Sequence, residues 1–183
     1  MEIQQTGLKD CLIIKPKIIE DSRGFFFESF NAATFERLTG MSGNFVQDNQ
    51  SWSSYGVIRG LHAQSGEFAQ AKLVRVLLGE VLDVAVDARP YSPTYGHHVA
   101  IHLSAENKLQ LYVPRGFLHG FAVLSETAEF FYKCDNYYDK DSEKGIHLAS
   151  PELKIDWQIE NDKRIIADKD LLLPFFSKVI IHS

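Results

Sequence analysis

Short runs in which apolar and polar residues alternate, separated by polar turns, predict a mostly β protein: an antiparallel sandwich or barrel with short peripheral helices. Three observations carry this. Residues 98–103 alternate cleanly, with Val99, Ile101 and Leu103 on one face and His98, Ala100 and His102 on the other. Leu109, Leu111 and Val113 repeat that period after a turn at 104–107. Strand-like segments of this kind recur at regular spacing from the start of the chain to about residue 138.

In order along the chain, residues 11–19 are apolar and β-branched, and residues 24–30 are aromatic; both read as strands. Residues 31–38 read as a helix, with Asn31 as N-cap and Gly40 just beyond the C-terminus. Residues 72–78 and 81–87, joined at Gly79-Glu80, read as a hairpin. A second hairpin is expected from residues 121–124 and 129–134 around the polar turn 125–128, with Phe130, Tyr132 and Cys134 sharing one face. Residues 154–170 are charged and mixed, and are expected to pack against the β structure as short helix and loop.

The length of 183 residues fits a single domain, 1–183, and 45% hydrophobic content supplies a sizeable core. Thirteen Phe and seven Tyr point to aromatic-lined strands or a stacking pocket. A net charge of −5 argues against nucleic acid as partner. Cys11 and Cys134 lie in no metal-like spacing and read as reduced thiols. The N-terminus lacks a basic-then-apolar signal and no apolar run approaches ~18 residues. The expectation is a soluble cytoplasmic chain without a membrane segment.

Two glycine-containing segments end in histidine: Gly56-Val57-Ile58-Arg59-Gly60-Leu61-His62 and Pro114-Arg115-Gly116-Phe117-Leu118-His119. At such strand margins backbone can approach a ligand closely. His97, His98, His102, His147 and His182 lack that context and read as structural or exposed. The two segments sit where the cupin superfamily places its motifs. The first would supply His-x-His and Glu to a metal, but His62-Ala63-Gln64 offers one imidazole, so no metal is expected. An imidazole, with an ordinary pKa near ~6.5, suits general-base work near neutrality. His62 then needs an acceptor on its second nitrogen, for which Asp168 and Asp170 are both candidates. Lys72, if buried, is a fixed cation suited to an enolate oxygen. Tyr132 reads either as a core tyrosine or as a proton donor opposite His62.

With their flanks, these residues resemble the dTDP-4-dehydrorhamnose 3,5-epimerase family. The matching segments include Asp21-Ser22-Arg23-Gly24-Phe25-Phe26-Phe27-Glu28, Phe45-Val46-Gln47-Asp48-Asn49-Gln50-Ser51, Gln70-Ala71-Lys72-Leu73-Val74-Arg75 and Asn136-Tyr137-Tyr138. They run in order over about residues 10–174. The resemblance implies a cupin-type antiparallel jelly roll working as a homodimer without metal or organic cofactor. It implies inversion of dTDP-4-dehydro-6-deoxyglucose at C3 and C5, toward dTDP-L-rhamnose. By the same resemblance His62 is the base, Asp170 its partner, Tyr132 the acid, and Lys72 stands at the O4 enolate. Arg23, Glu28, Gln47, Asn49, Arg59, His119, Glu143 and Lys169 would line the nucleotide-sugar site, with Tyr138 stacked on the base. Arg23 and Glu28 would reach the neighbouring subunit's site. Ala63 departs from the aromatic residue more usual after the base, and Trp52 and Tyr55 add bulk near Ser51. The alternatives are an epimerase acting at C3 or C5 alone, a 3,4-ketoisomerase, or a non-catalytic nucleotide-sugar-binding cupin.

Overall fold

The computed structural model describes residues 1–178. Strands β1 (Glu2–Gln5), β2 (Leu12–Lys15), β3 (Ile19–Asp21) and β4 (Gly24–Phe26) precede helix α1 (Ala32–Thr39). The central strands are β5 (Gln47–Ser54), β6 (Val57–Gln64), β7 (Lys72–Leu78), β8 (Glu80–Asp87) and β9 (His98–Ser104). They are followed by β10 (Gln110–Val113), β11 (Phe117–Val123), β12 (Thr127–Cys134) and β13 (Glu143–Gly145). The described chain closes with β14 (Ile165–Ile166), helix α2 (Asp168–Leu171) and a short 3₁₀ turn at Phe176–Lys178.

The strands form two facing sheets of jelly-roll type. The first runs β1-β2-β10-β7-β12-β5 and the second β13-β6-β11-β8-β9, with β14 added beside β6; β3 and β4 pair apart as a small hairpin. Helix α1 matches its signals. The Asn31 side chain accepts from the Thr34 N–H at 3.0 Å, and Gly40 closes the other end with φ 71°, its N–H bonding the Glu36 carbonyl.

Two expected hairpins are corrected. Residues 72–78 and 81–87 are both strands, but β7 pairs β10 and β12 while β8 pairs β9 and β11. Likewise β11 pairs β6 and β8, whereas β12 pairs β5 and β7. In both cases the polar turn is a corner between sheets. The two corners lock together: the Glu80 N–H donates to Ser125 Oγ at 2.8 Å, and the Leu124 N–H to the Glu80 carbonyl at 3.0 Å. Gly79 (φ 75°) is required there, since a Cβ would run into the Thr127 carbonyl. Alternation and turn residues alone do not distinguish a hairpin from such a corner, because both need the same polar, tight backbone. The small β3–β4 hairpin and the two-residue β14 were also not expected as such: Pro16 interrupts the 11–19 run, and β14 is too short to show a period.

Side chains from both sheets meet between them: Val74 and Val76 from β7, Val81 and Ala85 from β8, Phe121 and Phe130 from β11 and β12. The outer face of the second sheet is covered by the C-terminal segment through Ile146, Trp157, Ile159 and Phe176. The outer face of the first packs under α1, where Phe35 meets Tyr112 at 5.4 Å between ring centroids. Covered on both faces, β8 is buried almost end to end, which accounts for its nearly continuous apolar run.

Burial pushes the Tyr112 and Tyr132 phenols and the Cys11 thiol up to about 12, and the Cys134 thiol to about 11. In the unfolded chain such groups ionise near 9 to 10. Above pH 9 the unfolded chain therefore loses protons first, and stability falls as pH rises toward 12. Burial lowers the Lys72 ammonium, which acts in the opposite sense, but it is one group against four. Thermal melts are expected to hold up to about pH 9 and to lose several kcal/mol by pH 12, each pKa unit being worth about 1.4 kcal/mol. A flat melting temperature across that window would contradict the burial of these groups. No helix among the described residues is long and apolar enough to cross a membrane.

Candidate active site

The site lies in a cleft between the two sheets. His62 comes from β6 of the second sheet; Lys72 and Tyr132 come from β7 and β12 of the first, with Asn49 of β5 beside them. At one end the cleft continues past Arg59, His119 and Phe130; at the other past Gln47, Gln64, Tyr138 and Glu143.

His62 Nε2 lies 2.8 Å from Asp170 Oδ1, and Asp170 is 3% exposed. The carboxylate oxygen accepts, so Nε2 carries the hydrogen and Nδ1 keeps the lone pair. Of the two acids left open by spacing, the fold selects Asp170. The segment 165–166 adds to β6 in parallel, Ile165 opposite Val57 and Ile166 opposite Ile58. The chain then turns through Ala167 into α2, whose single buried residue is Asp170. Further along the same edge of β6, Gly145 pairs with His62. A Cβ there would stand 3.0 Å from His62 Cδ2 and 2.8 Å from Leu173 Cδ1. Gly145→Ala is therefore expected to displace the imidazole, slowing turnover more than tenfold at a stability cost of about 1–3 kcal/mol. Steady-state rates and thermal melts on that variant test this; unchanged rates would show that the ring tolerates the crowding.

Across the cleft, Lys72 Nζ lies 5.7 Å from the centre of the Tyr132 ring. Burial lowers the ammonium's pKa, and Cys134, Asp83 and Glu143 draw it back up. Burial likewise raises the Tyr132 phenol to about 12, so it stays protonated at neutral pH and can donate. Imidazole and phenol thus approach the cleft from opposite sheets, with the Lys72 cation beside the phenol.

His119 borders the cleft, but its Nε2 is held 3.0 Å from both oxygens of Asp83, which is fully buried. Asp83 stands outside the expected site residues. Its signal was a lone carboxylate inside the apolar run 81–86, since a buried acid must find a partner. Arg59 Nε donates to Ser53 Oγ at 3.2 Å. Gln47 bridges Asn49 and the Tyr138 N–H, each at 3.1 Å, and Asn49 reaches Cys134 Sγ at 3.7 Å. The Tyr138 hydroxyl donates to Glu143 at 3.2 Å, and Lys169 reaches Glu143 at 3.3 Å. Burial would raise the Glu143 carboxyl, but attraction to His62 and the Lys169 and Tyr138 hydrogen bonds hold it below its usual range. Among the described residues no three His, Cys, Asp or Glu side chains converge as metal ligands would.

The sequence and the fold recur in known proteins. The model of the family described as dTDP-4-dehydrorhamnose 3,5-epimerase matches residues 5–178. The chain belongs to this family. It is 50% identical over 181 residues to the dTDP-4-dehydrorhamnose 3,5-epimerase of Salmonella typhimurium, covering 99% of this chain and 98% of that one. The crystal structure of the epimerase from Elizabethkingia anophelis superposes with a TM-score of 0.94 at 56% identity, covering 97% of each chain. A dTDP-6-deoxy-D-glucose-3,5-epimerase from Legionella pneumophila, solved with dTDP-4-keto-L-rhamnose, gives 0.93 at 49% identity, covering 97% of this chain and 94% of that one.

Of the residues that the 3,5-epimerase resemblance implied, the cleft brings together His62, Lys72, Tyr132, Asn49, Gln47, Arg59, His119, Tyr138 and Glu143, with Asp170 behind His62. Lys169 stands at its mouth through Glu143. Arg23 and Glu28 are not in this chain's cleft. Arg23 pairs with Asp21 at 2.6 Å on the exposed β3–β4 hairpin, and Glu28 accepts from Asn31 at 3.1 Å. Among the departures from the family pattern, Ala63 borders the Gln64 end of the cleft, whereas Trp52 and Tyr55 are turned to solvent. Among the remaining histidines His97 is exposed and His98 half-buried. His102 pairs with Glu80 and His147 accepts from the Ala149 N–H, while His182 lies outside the described residues.

Proposed function

We propose that this chain inverts C3 and C5 of dTDP-4-dehydro-6-deoxy-D-glucose, giving dTDP-4-dehydro-L-rhamnose by general acid/base catalysis through an enolate. The observation that carries the reading is the His62–Asp170 pair on one sheet facing Lys72 and Tyr132 on the other. Both carbons flank the C4 ketone, so removing either hydrogen places charge on O4. In this reading His62 Nδ1 takes the proton while Asp170 steadies the imidazolium. The Lys72 ammonium meets the charge only as it develops, which is the condition for rate acceleration. Tyr132 returns a proton from the opposite face, and the carbon inverts. Each step uses a side chain, and no metal or organic cofactor is called on.

Arg59 would hold the diphosphate, with Gln47, Asn49, His119, Tyr138, Glu143 and Lys169 around the nucleotide sugar. The working form is proposed as a cytoplasmic homodimer of one-domain chains. The exposed β3–β4 hairpin, with Arg23 beside Phe25 and Phe26, supports this: in the proposed dimer it would carry Arg23, with Glu28 just beyond it, to a partner's cleft. Solution mass tests the dimer.

Proton NMR of the substrate in D₂O tests the reaction, with product trapped by a rhamnose-forming reductase. Deuterium at both C3 and C5 plus a reducible L-sugar is expected. Exchange at one carbon alone would make the chain a mono-epimerase, and no exchange would refute the reading.

A further inference from the structure

Two buried amides face the cleft with one end committed and the other free. Gln64 lies two residues past His62, and Gln70 two residues before Lys72, flanking the connection 65–69 that carries the chain between the sheets. They are 5% and 8% exposed and border the end of the cleft that also holds His62, Lys72 and Tyr132. The Asp139 N–H donates to Gln64 Oε1 at 2.9 Å, and Gln70 Nε2 donates to the Asn136 carbonyl at 2.7 Å. A backbone N–H can only donate and a carbonyl can only accept, so neither amide can flip. Gln64 Nε2 is thereby fixed as a free donor and Gln70 Oε1 as a free acceptor. Among the described residues no buried side-chain polar atom is both sealed from solvent and unpartnered. The free ends of two such buried side chains therefore open on the cleft, where a ligand or water must meet them.

We propose that Gln64 and Gln70 hold the C2 hydroxyl of the hexose and make the chain selective for 4-dehydro sugars that retain it. This rests on the epimerase reading above. A hydroxyl both accepts and donates, which is the complement of this pair. Two residues of strand separate each amide from a reacting group, about 7 Å, comparable to a hexose with its substituents. The C3 hydroxyl and the C5 methyl swing as their carbons invert, whereas the C2 hydroxyl keeps its place. A rigid donor and acceptor suit the substituent that does not move. Holding the ring there lets one base and one acid serve two carbons in turn.

The test compares kcat/KM for dTDP-4-dehydro-6-deoxyglucose and its 2-deoxy analogue, in the unaltered chain and in Gln64→Met and Gln70→Met, with dTDP affinity and melting temperature alongside. The unaltered chain is expected to favour the hydroxylated sugar by about 10²-fold or more, since a site built around a hydroxyl rejects the analogue lacking it. Each variant is expected to cut that ratio at least tenfold, chiefly by losing rate on the hydroxylated sugar. A merely structural role for the amides would slow both sugars alike and leave the ratio intact, which would overturn the assignment. Equal use of both sugars by the unaltered chain would overturn it without any variant, so a variant that fails to fold does not shield it. Absence of turnover and of deuterium exchange with either sugar would instead refute the epimerase reading itself.

Discussion

His62→Ala is expected to lose about 10²–10⁴-fold in turnover, the usual contribution of a single general base, while dTDP affinity stays within a few-fold. The split follows from geometry. His62 sits at the centre of the cleft, whereas Arg59, the group proposed to hold the diphosphate, stands toward one end. Solvent deuterium should fail to enter C3 and C5 as well, because the missing step is proton removal and not only inversion. Asp170→Asn sharpens the result. An amide can donate to Nε2, which would move the ring hydrogen to Nδ1 and leave no lone pair toward the substrate. A loss of roughly 10³-fold is expected there with the fold intact, larger than a lost hydrogen bond alone would produce. Rates within tenfold of normal in His62→Ala would remove His62 from the mechanism.

Tyr132→Phe is expected to separate exchange from inversion. The ring packs 6.0 Å from Phe130 at the edge of the inter-sheet core, so phenylalanine keeps the packing and deletes only the hydroxyl. His62 can still remove a proton and return a deuteron to the same face. Deuterium should therefore enter the substrate while formation of the L-sugar falls by about 10²-fold or more. Its pKa near 12 means that the phenol remains a donor over the whole neutral range, so no loss of activity from its ionisation is expected below about pH 10. If Tyr132→Phe makes the L-sugar at normal rates, the second proton comes from another group.

The strand content was legible from short-range pattern. Residues 98–104 and 110–113 form strands as their alternation requires, with Leu103, Leu111 and Val113 inward, and α1 starts and stops at its capping residues. Sheet membership was not legible. The segments 72–78 and 80–87 carry strand signals around a tight polar turn, and only the partners found elsewhere in the chain assign them to opposite sheets. Short elements such as β13 and β14 lack enough residues to display a period, yet they supply Gly145 behind His62 and lead into Asp170.

The chain's own order of residues determined the chemistry available: an imidazole on a glycine-bearing strand, a lysine and a tyrosine on other strands, and motifs that identify the family. Tertiary structure decided which acid serves His62, which ring nitrogen is free, that His119 is held by Asp83, and that Gln64 and Gln70 face the cleft with fixed polarity. The reason is physical. Residue type is local, but the direction in which a side chain points depends on strand register, and register here is set by partners as far apart along the chain as Val57 and Ile165.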